Sequence, residues 1–174
     1  MLSQAINEIK NPYGEPTVIF IIGGVGAGKN YIKNKLFGDI QMIDPDEHTN
    51  KLANGDVELQ RKFVSQAIKW VNSEFEKMLK GSKSFVMMGT GANYTGYINR
   101  FQKAKDAGFA TSIVFVNTSP EQAFKNNQKR IADGGRGSTI PDFKFETSWK
   151  KAKFTYDNIQ TLEICDYAQE VKNG

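Results

Sequence analysis

Thr17-Val18-Ile19-Phe20-Ile21-Ile22-Gly23-Gly24-Val25-Gly26-Ala27-Gly28-Lys29-Asn30 passes from an unbroken apolar run directly into a glycine-rich turn. The run is short and rich in β-branched residues, which predicts a strand buried on both faces. The turn needs glycine because successive backbone N–H groups can face one concavity only in conformations that side chains obstruct. Lys29 then sets a cation at the start of the next helix, whose N-terminal dipole also favours an anion. Strand, glycine turn, lysine and helix together predict a phosphate cradle lined by Gly23, Gly24, Val25, Gly26, Ala27, Gly28 and Lys29. Asn30 stands where this pattern normally carries a Ser or Thr whose hydroxyl reaches magnesium. Its amide oxygen can still ligate a hard cation directly or through water, so Mg²⁺ use is expected, with Asn30 as a metal-side candidate.

Outward from this stretch, Ile40-Gln41-Met42-Ile43, Ser84-Phe85-Val86-Met87-Met88 and Ser112-Ile113-Val114-Phe115-Val116 read as further strands, each running into a polar or glycine-containing loop. Between the second and third, Leu59, Phe63, Ala67, Trp70, Val71, Met78 and Leu79 recur at helical spacing, predicting one long amphipathic helix over 57–80. Ile98, Phe101 and Ala104 form a second stripe over 95–107, with Gly108 as its terminator. Ser119 can cap a third helix that has Pro120 in its first position, and a last helix is expected over 145–160. Strands alternating with helices predict a three-layer α/β domain of the P-loop NTPase, nucleotide-kinase-like kind, with a mainly parallel sheet of about five strands. Ligands of such a sheet bind at its carboxyl edge.

The chain of 174 residues, 39% hydrophobic and 24% charged, reads as a single domain over 1–174, without the polar excess of a disordered one. The sequence shows neither a membrane-spanning run nor the regions of a signal peptide, and its one cysteine, Cys165, cannot form an internal disulfide. A cytoplasmic protein is the expectation. A net charge of +4 suits a polyanionic partner, nucleotide or nucleic acid, although surplus lysines also simply solvate a surface.

A phosphate cradle alone does not separate kinases from hydrolases or switches. Ile43-Asp44-Pro45-Asp46-Glu47-His48 brings carboxylates to the carboxyl edge of the second strand, near the expected γ-phosphate of ATP. There Asp46 can orient a hydroxyl acceptor and take its proton, while Asp44 supports Mg²⁺ or its waters; alternatively the two aspartates cap the turn at Pro45. His48, the only histidine, lies beside this cluster without further support for a catalytic part. Arg130, near a helix end, and Arg136, within Asp133-Gly134-Gly135-Arg136-Gly137-Ser138, are candidates for a lid near 129–142 that neutralises charge on the transferring group; surface arginine is the plainer alternative.

In this order the segments Gly23 to Lys29, Ile43-Asp44-Pro45-Asp46, Gly89-Thr90-Gly91, Ala107-Gly108-Phe109 and Arg130 through Arg136 followed by Ile140-Pro141 resemble the zeta-toxin and polynucleotide-kinase-like group of P-loop kinases. The resemblance implies an ATP-dependent phosphotransferase with an alcohol acceptor: Asp46 contacts the acceptor hydroxyl, and Arg130 and Arg136 contact ATP phosphates. Two departures concern the acceptor. Glu47-His48-Thr49 offers no arginine for an acceptor phosphate, and Met88-Gly89-Thr90 replaces a frequent acid at the third strand's end, leaving Thr90 and Asn93 as contacts or as turn and cap residues. The acceptors implied are a nucleotide or a modified base in DNA such as 5-hydroxymethyluracil, as for phage kinases of this kind, or, as in the zeta toxins, a nucleotide sugar or small metabolite. Tyr94, Tyr97, Phe143 and Phe145 could stack on an exposed base or serve packing, and Lys144, Lys150, Lys151 and Lys153 could line a contact surface or an amphipathic helix. A nucleotide-binding switch without kinase activity is the remaining alternative.

Overall fold

A computed structural model describes residues 15–54, 56–134 and 140–174. Five parallel strands, β1 (Thr17–Ile22), β2 (Met42–Ile43), β3 (Phe85–Gly89), β4 (Ala110–Asn117) and β5 (Tyr167–Lys172), form one sheet in the order β2-β3-β1-β4-β5. All six residues of β1 are buried, as its apolar run requires, and it pairs on both sides, Val18 with Phe85 and with Thr111. Because strand side chains alternate between faces, Val18, Phe20 and Ile22 enter one core, and Ile19 and Ile21 enter the other.

The first core is closed by α4 (Val64–Leu79), α5 (Tyr94–Asp106) and α7 (Asp142–Ile159), with Val71, Phe75, Phe101, Ala152 and Ile159 all buried in it. Phe20 is its centre: its ring stacks on Phe101 at 4.2 Å and meets Phe75 and Tyr97 at steep angles. The second core is covered by α1 (Lys29–Phe37) through Ile32, Leu36 and Phe37. Gly108, at φ 88°, ends α5 in a Schellman turn in which Phe109 N–H reaches the Ala104 carbonyl at 3.0 Å. Ser119 caps α6 (Pro120–Ala132) by accepting the Gln122 N–H, with Pro120 in the first position.

Three expectations are corrected. The helix expected over 57–80 is two helices, α3 (Val57–Lys62), capped by Asp56, and α4, because Phe63 at ψ 3° leaves helical geometry and serves as end of one and start of the other. The stretch after β2 is not merely a turn around Pro45 but a helix, α2 (Pro45–Ala53), with proline at its first position. The second strand shrinks to Met42–Ile43, and the fifth, which apolar runs did not locate, is β5, where half-buried and exposed residues alternate at the sheet edge. Among the described residues no helix is long and apolar enough to cross a membrane.

Candidate active site

Since all five strands are parallel, the loops after β1, β2, β3 and β4 gather at one edge, and β1 between β3 and β4 puts the glycine turn at the middle of it. The turn has the conformation its glycines imply: Gly26 and Gly28 adopt φ values of +73° and +86°, where L side chains are strained. Gly28 is also the N-terminal cap residue of α1, with no side chain capping it, so the first N–H groups of that helix are oriented to the turn. Lys29 Nζ donates to the carbonyls of Gly23 and Gly24 at 2.9 and 3.1 Å, arching over the turn.

Asp44 ends β2 buried and caps α2, its Oδ1 accepting the Asp46 N–H at 3.0 Å. Asp44 thus takes the capping part, and the Asp46 carboxylate is exposed on the first turn of α2. Burial raises the Asp44 pKa and the neighbouring Asp46 charge adds to this, against the N–H groups of Asp46 and Glu47. Burial lowers the Lys29 pKa, Asp46 and then Asp44 oppose that, and Arg130 lowers it further. Lys29 therefore lies within electrostatic reach of Asp46, Asp44 and Arg130, although the four come from three helices and a strand end.

Asn30 is exposed as the second residue of α1. Among the described residues no group of three His, Cys, Asp or Glu side chains is arranged to hold a metal. Asn30 and Asp44 each carry an oxygen of the kind Mg²⁺ takes, an ion that needs few protein oxygens when phosphates and water fill its shell. Arg130 is exposed near the end of α6; Arg136 lies outside the described residues, as does most of the expected lid loop. His48 stacks flat on Trp70 at 4.0 Å, joining α2 to α4. Thr90 accepts the Ala92 N–H and Asn93 caps α5, the turn and cap parts expected as alternatives. Tyr97 and Phe145 are buried, Tyr94 meets Phe154 edge to face, and Phe143 is exposed. Lys150 and Lys153 pair with Glu146 and Asp157 one helical turn away.

Sequence reading missed a set of polar residues that hydrogen-bond to the backbone of the glycine turn. Ser148 of α7 accepts the Val25 N–H at 3.0 Å, Asn126 of α6 donates to the Gly26 carbonyl at 3.2 Å, and Thr118 and Asn173 both donate to the Ala27 carbonyl. They lie about a hundred residues or more from the turn along the chain, so no local spacing marks them.

The family model for Zeta toxin matches residues 3–173. No curated protein matches the sequence. Among solved structures, a chain from the PezAT chromosomal toxin–antitoxin system of Streptococcus pneumoniae is 19% identical, with a TM-score of 0.66 over 98% of this chain and 76% of that one. A chain of the AvrRxo1-ORF1:-ORF2 complex with ATP is 14% identical at TM-score 0.70, over 99% of this chain and 58% of that one. Shikimate kinase from Acinetobacter baumannii in complex with shikimate is 17% identical at TM-score 0.56, over 97% and 89% of the two chains. At these identities the structural likeness establishes the fold that all share, the α/β P-loop kinase fold with a five-stranded parallel sheet.

Proposed function

The chain belongs to the zeta toxin family, and from that premise we propose that it is an ATP-dependent kinase that transfers the γ-phosphate to an alcohol. The observation that carries the proposal is the convergence on one sheet edge of the glycine turn, the Lys29 ammonium and the exposed Asp46 carboxylate. The N–H groups of the turn other than that of Val25, which Ser148 engages, together with the α1 N-terminus hold the phosphates of ATP, and Lys29 adds its charge to them. Asp46 accepts the proton of the acceptor hydroxyl as its oxygen bonds to the γ-phosphorus and the bond to the β-phosphate oxygen breaks, releasing ADP. Arg130 neutralises charge on the transferring group, and Arg136 joins it from the lid near 129–142. Mg²⁺, held by Asn30 and Asp44 together with the phosphates, would supply further neutralisation of that charge.

Family membership favours a nucleotide sugar or similar small metabolite as acceptor. The second reading, a hydroxymethylated base in DNA, is favoured by the net charge of +4, but burial of Tyr97 and Phe145 removes two of its stacking candidates. Incubating the protein with ATP labelled on the γ-phosphate, Mg²⁺, and parallel sets of nucleotide sugars, free nucleotides and hydroxymethylated or unmodified duplex DNA tests the reading. A labelled nucleotide sugar is the expected product. Label in hydroxymethylated DNA alone would select the second acceptor class, and label only in inorganic phosphate would replace the kinase with a nucleotide switch.

A further inference from the structure

We propose that Thr118 and Asn173 are positioning residues that jointly aim the Gly28 N–H into the phosphate cradle, an inference that rests on the glycine turn being the ATP site. Both side chains donate to one oxygen, the Ala27 carbonyl, from Thr118 Oγ1 at 2.7 Å and Asn173 Nδ2 at 2.9 Å. No cis peptide occurs among the described residues, and in a trans peptide the C=O of one residue and the N–H of the next point in opposite directions. Fastening the Ala27 oxygen away from the cradle therefore turns the Gly28 N–H towards it. The Gly26 carbonyl is held in the same sense by Asn126, whose own amide oxygen accepts from Gln122 at 2.9 Å.

The fastening residues are themselves fixed. Thr118 is 2% exposed directly after β4, and Asn173, directly after β5, donates its backbone N–H to the Asn117 carbonyl at 3.1 Å. The ends of the neighbouring strands β4 and β5 thus reach across to set one peptide plane of the turn. The arrangement also explains Gly28 twice over: its φ of +86° strains any side chain, and a Cβ there would run into the Asn173 amide. Removing one donor leaves the carbonyl a partner, whereas removing both leaves a polar group without one and frees the peptide plane to rotate.

The test is a double-mutant cycle on full-length protein with Thr118→Val and Asn173→Ala, reading ATP affinity by calorimetry and the KM for ATP separately from that for the acceptor. Each single substitution is expected to weaken ATP by about threefold and the pair by about thirtyfold, more than the product of the singles, with the acceptor KM unchanged. Thr118→Ser, which keeps the hydroxyl, is expected to bind ATP like the unsubstituted protein, an outcome a general packing defect would not give. Unaltered ATP affinity in the folded double variant would overturn the inference alone. Failure of the unsubstituted protein to bind ATP would overturn the functional reading and this inference with it.

Discussion

Asp44 and Asp46 are separated by one proline yet do different work, because only the first is buried. Asp44 caps α2 through one carboxylate oxygen, Oδ1, in a place where burial and the Asp46 charge both disfavour ionisation. Its folded-state pKa is raised above the unfolded value, so the native state binds its proton more readily and the charged form costs stability. That cost is complete above the folded-state pKa and absent once pH falls below the unfolded value, about 3.9. Asp44→Asn keeps a capping oxygen without the charge. Its Tm should exceed that of the unsubstituted protein at neutral pH, with the gap closing as pH falls through the carboxylate range; a gap that is constant with pH would contradict the account. The sequence showed both carboxylates at the strand end but not their division, since burial is decided by tertiary packing and not by local spacing. The glycine turn and Lys29 were legible because their residues are consecutive.

Elements were legible where their signals are local. Ser119-Pro120 opens a helix and Gly108 closes one through contacts within a few residues. The break at Phe63 was hidden because the apolar spacing runs on through it, and β5 because an edge strand with one exposed side lacks an apolar run. The polar fastenings of the turn are farther still from any local pattern: Ser148 meets Val25 only because α7 packs across the carboxyl edge. Phe101 shows what such packing is worth, being fully buried on α5 and stacked on Phe20 of β1. Phe101→Ala should destabilise the fold by about 3–5 kcal/mol, read as a lowered denaturant midpoint with an unchanged m-value. A loss under about 1 kcal/mol would mean that this face of the sheet does not anchor the helices as described.

At the scale of the molecule, parallel pairing sends every strand's exit to the same edge, so residues from distant parts of the chain meet there. The first core holds α4, α5 and α7 to one face, α1 closes the other, and the glycine turn emerges from β1, whose residues enter both. The proposed phosphate side and acceptor side come from β1 and β2, with β3 between them, and their charges meet around Lys29. The division of labour between those two sides is the centre of the account. Measuring ATP affinity and phosphoryl transfer side by side for Lys29→Ala and Asp46→Asn addresses it most directly. Lys29→Ala should lose both, while Asp46→Asn should bind ATP within about twofold of the unsubstituted protein and transfer phosphate at least about a hundredfold more slowly. Transfer by Asp46→Asn at the unsubstituted rate would contradict the assignment of Asp46 as the base.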